Sequence, residues 1–253
     1  MNYNVAIRDL LVARGKALFR ANKQTNVFFT PRAEANALLN DLSNNPHAFV
    51  LACVMDRQIK AEKAWQIPHE ISLRLGGFSM RKLAALSVSD IRKAMSKPAK
   101  LHRFPDKMAD CFHSAVQRIA RIYGGDASRI WRNKPSSAEV VYRFLEFDGV
   151  GPKIATMAAN ILARDFKIEF SDYVSIDLSI DVHVRRVFKR LGLCPPDATD
   201  DQLIYKARAL SPDFPGIIDF TCWELGREFC RAKQPLCRDC FMNSACPKRM
   251  SNN

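Results

Sequence analysis

The stretch FDGVGPKIA, residues 147–155, places Gly149, Val150 and Gly151 in a turn and Lys153 just after Pro152, in the first turn of an apolar helical pattern. Glycines lack a Cβ and let another backbone come close, and the free amides of a helix N-terminus favour an anion such as phosphate. At the positive end of the helix dipole, and with partial burial, a lysine loses its proton more readily and becomes a nucleophilic amine. The same residues also suit an ordinary turn between two helices. A second candidate is Asp181, directly before VHVRRVFKRL. A helix start keeps a carboxylate there ionised, and capping alone would also account for it. The third candidate is a set of thiols, Cys230, Cys237, Cys240 and Cys246, spaced C-x6-C-x2-C-x5-C. Four thiolates in so short a loop can hold a [4Fe-4S] cluster or one tetrahedral zinc ion.

The elements that must position these groups read as helices. Residues 136–147 carry a Ser136/Glu139 capping-box pattern and an apolar face of Val140, Val141, Phe144 and Leu145. Residues 152–164 open with Pro152 and lay Ile154, Met157, Ala158, Ile161 and Leu162 along one stripe. Further helices are predicted at 5–18, 47–65, 79–86, 89–96, 106–123, 181–192, 200–210 and 216–229, with breaks at Gly76-Gly77, Pro98, Gly124-Gly125 and Pro195-Pro196. The segment 166–177 reads equally as a short extended stretch or a loop. The expectation is an all-α protein of two helical lobes, one formed by 31–165 and the other by 1–30 with 166–253.

Bulk composition narrows the partner. Lysine and arginine outnumber acids 39 to 26, a net charge of +13 that favours a polyanion. The basic residues are dispersed, so a nucleic-acid surface would belong to the folded body. No apolar run is long enough to span a bilayer, and the N-terminal residues lack the apolar core of a signal peptide. An intracellular protein is expected, nucleoid-associated in the cytoplasm if the source is prokaryotic. In that setting its 8 cysteines are not a disulfide framework. Cys53, Cys111, Cys194 and Cys222 read as ordinary core or neutral thiols.

LEFDGVGPKIA resembles the helix-hairpin-helix signature of the endonuclease III family of DNA glycosylases. The segment SIDVHVRRVFKRLG, 179–192, is similar to that family's catalytic aspartate segment, with Asp181 and His183 in the matching places, and the cysteine spacing is that of its iron-sulfur loop. Asp172 and Asp177 lie close by, but only Asp181 is followed by the Val-His pattern. HAFVLACVMDRQIKAEKAW is similar to an early family segment whose glutamine fills the gap left by an extruded base, a place held by Gln58. Leu101, in AKLHRF, matches the leucine that wedges the opposite strand. The resemblance implies a helix-hairpin-helix fold with a C-terminal [4Fe-4S] cluster, in preference to zinc, on Cys230, Cys237, Cys240 and Cys246. Basic residues Arg231, Lys233, Arg238, Lys248 and Arg249 surround these cysteines.

The resemblance also implies a monomeric base-excision enzyme acting on double-stranded DNA with a damaged or mismatched base or an abasic site. Asp181 would stabilise the cationic sugar as the base departs. Lys153 would form a Schiff base and cleave the strand by elimination. Oxidised pyrimidine is the default lesion. The other readings are a monofunctional glycosylase for T or U opposite G, and a noncatalytic DNA-binding protein. Gly149, Val150, Gly151, Gln58, Leu101 and His183 are the expected DNA contacts.

Overall fold

A computed structural model describes residues 3–21 and 26–248. In chain order the helices are α1 (Tyr3–Arg20), α2 (Ala33–Asn40), α3 (Pro46–Met55), α4 (Ala61–Ala64), α5 (Ile67–Leu75), α6 (Met80–Ala84), α7 (Val88–Ser96), α8 (Pro105–Ile122), α9 (Ser137–Leu145), α10 (Pro152–Arg164), α11 (Val182–Arg190), α12 (Asp200–Leu210) and α13 (Ile217–Glu224). A 3-10 turn spans Ala127–Ile130, and a π-helical turn, Leu225–Phe229, continues α13. No strand occurs among the described residues, so the chain is all-α and 166–177 is loop. No helix among them is long and apolar enough to cross a membrane.

Contacts divide the chain into two units: Gln24–Pro135 with Glu139–Ala158, and Met1–Lys23 with Ser136–Ala138 and Ala159–Asn253. In the first unit every residue of α3 is buried, as expected of a helix that is apolar all round. It packs against α2, α5, α8 and the 3-10 turn. The amphipathic α8 turns Met108, Ala109, Cys111, Phe112, Ala115, Val116 and Ile119 inward, the stripe its sequence spacing predicts. A single helix over 47–65 is not observed. The apolar run ends at Met55, and Arg57, Gln58 and Lys60 beyond it are exposed, without the burial that sustains a short helix. The chain turns at Asp56, passes through Gln58 at φ 56° and resumes as α4. Helix α5 was not foreseen from the sequence; it begins with Pro68 in its first turn and ends at the left-handed Gly76.

In the second unit α1 packs along α13, and α11 meets both α13 and the π-helical turn. Ile7, Leu11, Val184, Val187, Phe188, Leu203, Ile218, Phe220 and Leu225 lie in its core. A Cβ on Gly15 would stand 2.2 Å from the Ile217 carbonyl oxygen, so a backbone-to-backbone contact holds α1 against α13. Gly15→Ala is expected to destabilise the protein by roughly 1–3 kcal/mol through overpacking. A lower denaturation midpoint with unchanged denaturant slope would be the sign of it.

Candidate active site

The hairpin is built by geometry that only glycine supplies. Gly149 has φ +88°, and a Cβ there would lie 3.1 Å from Cys111 Sγ and 3.4 Å from Arg57 Nη1. The Val150 amide donates to the Phe147 carbonyl at 3.0 Å, and the Ile154 and Ala155 amides both donate to the Gly151 carbonyl at 3.0 Å. A Cβ at Gly151 would have nothing within 4 Å. The turn thus needs Gly149 for its own packing and leaves open space at Gly151, where a partner's backbone can approach. Val150 is half-buried between them. Lys153 follows in the first turn of α10 and is exposed; the partial burial expected of it is absent.

The turn after α3 lies beside this hairpin, since Arg57 is one of the two groups crowding Gly149. Asp56, at the C-terminal end of α3, is buried at 9% exposure. Burial pushes its carboxyl above the usual carboxylate range, and the charge of Lys153 opposes that rise. Gln58 is exposed on the turn. Leu101 is turned into the core at 8% exposure, and its amide donates to the Met95 carbonyl. A side chain that wedges a duplex must project, and the apolar residue this loop projects is Phe104, 42% exposed with the Arg103 guanidinium over its ring. His102, between them, is buried and accepts a hydrogen bond from the Phe104 amide at Nδ1.

In the other unit Asp181 caps α11. Its Oδ1 accepts from the amides of His183 at 2.7 Å and Val184 at 2.8 Å, which leaves Oδ2 outside the cap. The neighbouring carboxylates are committed elsewhere: Asp177 pairs in two-pronged fashion with Arg208, and Asp172 accepts from the Ser137 hydroxyl and the Val174 amide. His183 packs so tightly on Gly226 that a Cβ there would fall 2.5 Å from its own Cβ. Its Nδ1 lies 3.0 Å from Arg186 Nη2. Arg186 also donates to the carbonyls of Gly226 and Cys230, tying the start of α11 to the cysteine loop.

Cys230, Cys237, Cys240 and Cys246 line one pocket together with Val187, Leu191, Phe229 and Met242. Burial first, and then the neighbouring thiols, push the Cys240 and Cys246 thiols up. Among the described residues no group of three or more His, Cys, Asp or Glu side chains is placed to hold a metal ion. Arg190 braces the loop by donating to the carbonyls of Arg231 and Ala232. Cys222 is fully buried in the core, and Arg249 lies outside the described residues.

No protein-family model matches the chain. Over 156 residues it is 29% identical to the Endonuclease III of Thermotoga maritima, a stretch that covers 60% of this chain and 65% of that relative, just under two thirds of its length. Against the Endonuclease III of a Synechocystis strain it is 28% identical over 185 residues, 65% of this chain and 77% of the other. The fold matches a solved structure of a trapped endonuclease III–DNA covalent intermediate at TM-score 0.63, with 96% of each chain covered and 16% identity. In sequence and in fold the chain resembles endonuclease III. The helix-hairpin-helix segment on which that resemblance rested stands as two helices joined by a glycine turn.

Two buried acidic residues were not singled out in the sequence. One is Asp56. The other is Asp219 of α13, whose Oδ1 accepts from the Ser179 amide at 3.1 Å and whose Oδ2 lies 3.4 Å from Asn160 Nδ2. Its carboxyl is pushed up to about 7, mainly by burial, with the Asp181 charge adding and Arg164 opposing. Neither position carries a local sequence signal, because tertiary burial sets both. A raised carboxyl pKa in the folded state means stability that is whole below the ordinary carboxylate range and is lost as pH rises through about 7. Asp219→Asn is therefore expected to melt higher than wild type at about pH 8, by on the order of 2 kcal/mol after allowance for its partial exposure, and to show no gain near pH 4. Thermal melts at the two pH values check this.

Proposed function

We propose that the chain is a DNA glycosylase with an abasic-site lyase activity that removes damaged bases from double-stranded DNA, oxidised pyrimidines being the default substrate class. The observation that carries the reading is Lys153, exposed in the first turn of α10 directly behind a glycine hairpin whose Gly151 is open. The Gly151 and Lys153 amides, which make no backbone bond among the described contacts, suit a phosphate of the DNA backbone without regard to sequence, and the net charge of +13 suits the polyanion.

The target nucleotide must leave the stack to be reached, which costs a few kcal/mol and favours a damaged or mispaired base. Phe104 takes the wedge role expected of Leu101, since it is the side chain the loop already presents to solvent. Gln58, exposed on its turn, is positioned to face the vacated space in the duplex. As the base departs, positive charge grows on the sugar, and the free Oδ2 of Asp181 meets it with negative charge. The cap bonds to His183 and Val184 keep that carboxylate fixed. Arg186 holds the His183 ring, so His183 serves to aim the start of α11 at the DNA. Lys153 then attacks C1′ as a neutral amine, the Schiff base forms, and elimination cuts the strand 3′ to the lesion.

Cys230, Cys237, Cys240 and Cys246 fit a [4Fe-4S] cluster: the donors are all thiols, one per iron, in an apolar pocket. When bound, such a cluster would supply a rigid redox-capable core to the loop that carries Arg231, Lys233 and Arg238.

Three outcomes follow. Asp181→Asn should lower base release at least about 100-fold while leaving duplex affinity intact, as for loss of a transition-state charge; unchanged release would remove the carboxylate from the mechanism. Phe104→Ala should lower excision without altering the melting temperature, and an effect as large from Leu101→Ala in a fully folded protein would restore the leucine to the wedge. Anaerobically purified protein should hold about four iron atoms per chain, and one zinc with no iron would refute the cluster.

A further inference from the structure

The short loop before α8 buries a histidine and exposes a phenylalanine. His102 is 1% exposed and Phe104, two residues on, is 42% exposed. Left to itself an apolar ring folds back onto the protein, so the backbone that carries Phe104 must be held for the ring to project. It is held on both sides. The Phe104 carbonyl accepts from the Met108 amide at 3.0 Å, which opens α8. The Phe104 amide donates to His102 Nδ1, also at 3.0 Å. Phe104 is the N-cap of α8, a place where no carbonyl of the helix can reach the amide. The imidazole therefore satisfies a donor that the helix leaves over. One step upstream the Leu101 amide donates to the Met95 carbonyl at 2.9 Å and anchors the start of the loop. The His102 and Phe104 rings stand 6.2 Å apart and tilted by 40°, so the phenyl ring is not laid over the imidazole.

The bond needs a lone pair on Nδ1, which puts the single ring proton on Nε2. A protonated ring would instead set two N–H donors face to face at 3.0 Å. Burial works in the same direction, holding the ring's pKa below the usual histidine value. Nε2 is enclosed and has no hydrogen-bond partner among the described residues, so the Phe104 amide is the polar group the ring serves. We propose that His102 is the positioning residue for the wedge: through Nδ1 it fixes the Phe104 backbone so that the phenyl ring already projects when a duplex arrives. The role rests on the reading of Phe104 given above. A backbone ordered in the free protein spares the entropy that a loose loop would lose on binding. Leu101, two places closer to the anchor at Met95, is turned inward by the same fold of the loop.

The test uses a duplex that carries a non-cleavable tetrahydrofuran analogue of an abasic site with 2-aminopurine opposite it, a base whose fluorescence changes as a side chain enters the stack. The amplitude is read at saturating full-length protein and neutral pH, below the melting temperature of every variant. Phe104→Ala should lose most of the wild-type amplitude. His102→Leu fills the space without an acceptor, and the insertion equilibrium should fall roughly fivefold, as for the loss of one hydrogen bond. His102→Asn sets an amide oxygen close to the place of Nδ1 and should restore the wild-type amplitude. A role in packing alone would make asparagine, smaller and polar, no better than leucine. Should His102→Leu not fold, His102→Met, flexible and likewise without a nitrogen or oxygen acceptor, is read in its place. A wild-type amplitude in the folded apolar variant, or an Asn variant that fails as the apolar one does, would overturn the proposal and leave Phe104 as the wedge. An unchanged amplitude in Phe104→Ala would overturn both.

Discussion

Everything in the site depends on one close approach: the backbone at Gly149 lies where a side chain would strike Cys111 and Arg57. A positive φ at that residue reverses the chain between α9 and α10 in a few residues, and the reversal sets the position of Lys153 in the first turn of α10. The approach also brings the α3 turn, with Asp56 and Arg57, against the hairpin.

The second unit applies the same economy at Asp181. One oxygen closes the start of α11, and the other is left uncommitted. Helix α11 is in turn fixed to the cysteine loop through Arg186 and Arg190, which bond to carbonyls of Gly226, Cys230, Arg231 and Ala232. The loop's order and the aim of the carboxylate are therefore linked mechanically. Asp219 raises the electrostatic cost of the arrangement, since a second carboxyl near Asp181 is kept from ionising freely at neutral pH.

How much of this was legible in the sequence differs by residue. The turn before Lys153, the helix cap at Asp181 and the loop of four cysteines were readable because each is encoded within a short stretch of chain. The amphipathic stripes of α8 and α10 were readable for the same reason. The break after Met55 was not, because polar residues that continue a helical period look like the solvated end of one helix. Leu101 and Phe104 show a second limit. Both are apolar, and only the packing of the loop decides which faces water. Asp56 and Asp219 mark a third, since burial of a lone acid depends on elements far away in the chain.

The central claim is that Lys153 is the nucleophile of a glycosylase and lyase. The most direct measurement is to trap wild-type protein on abasic DNA with borohydride, digest the adduct and locate the modified residue by mass spectrometry. The account predicts a DNA-derived mass on the peptide containing Lys153 and on that side chain. An adduct carried instead by the N-terminal amine or by another lysine would contradict it.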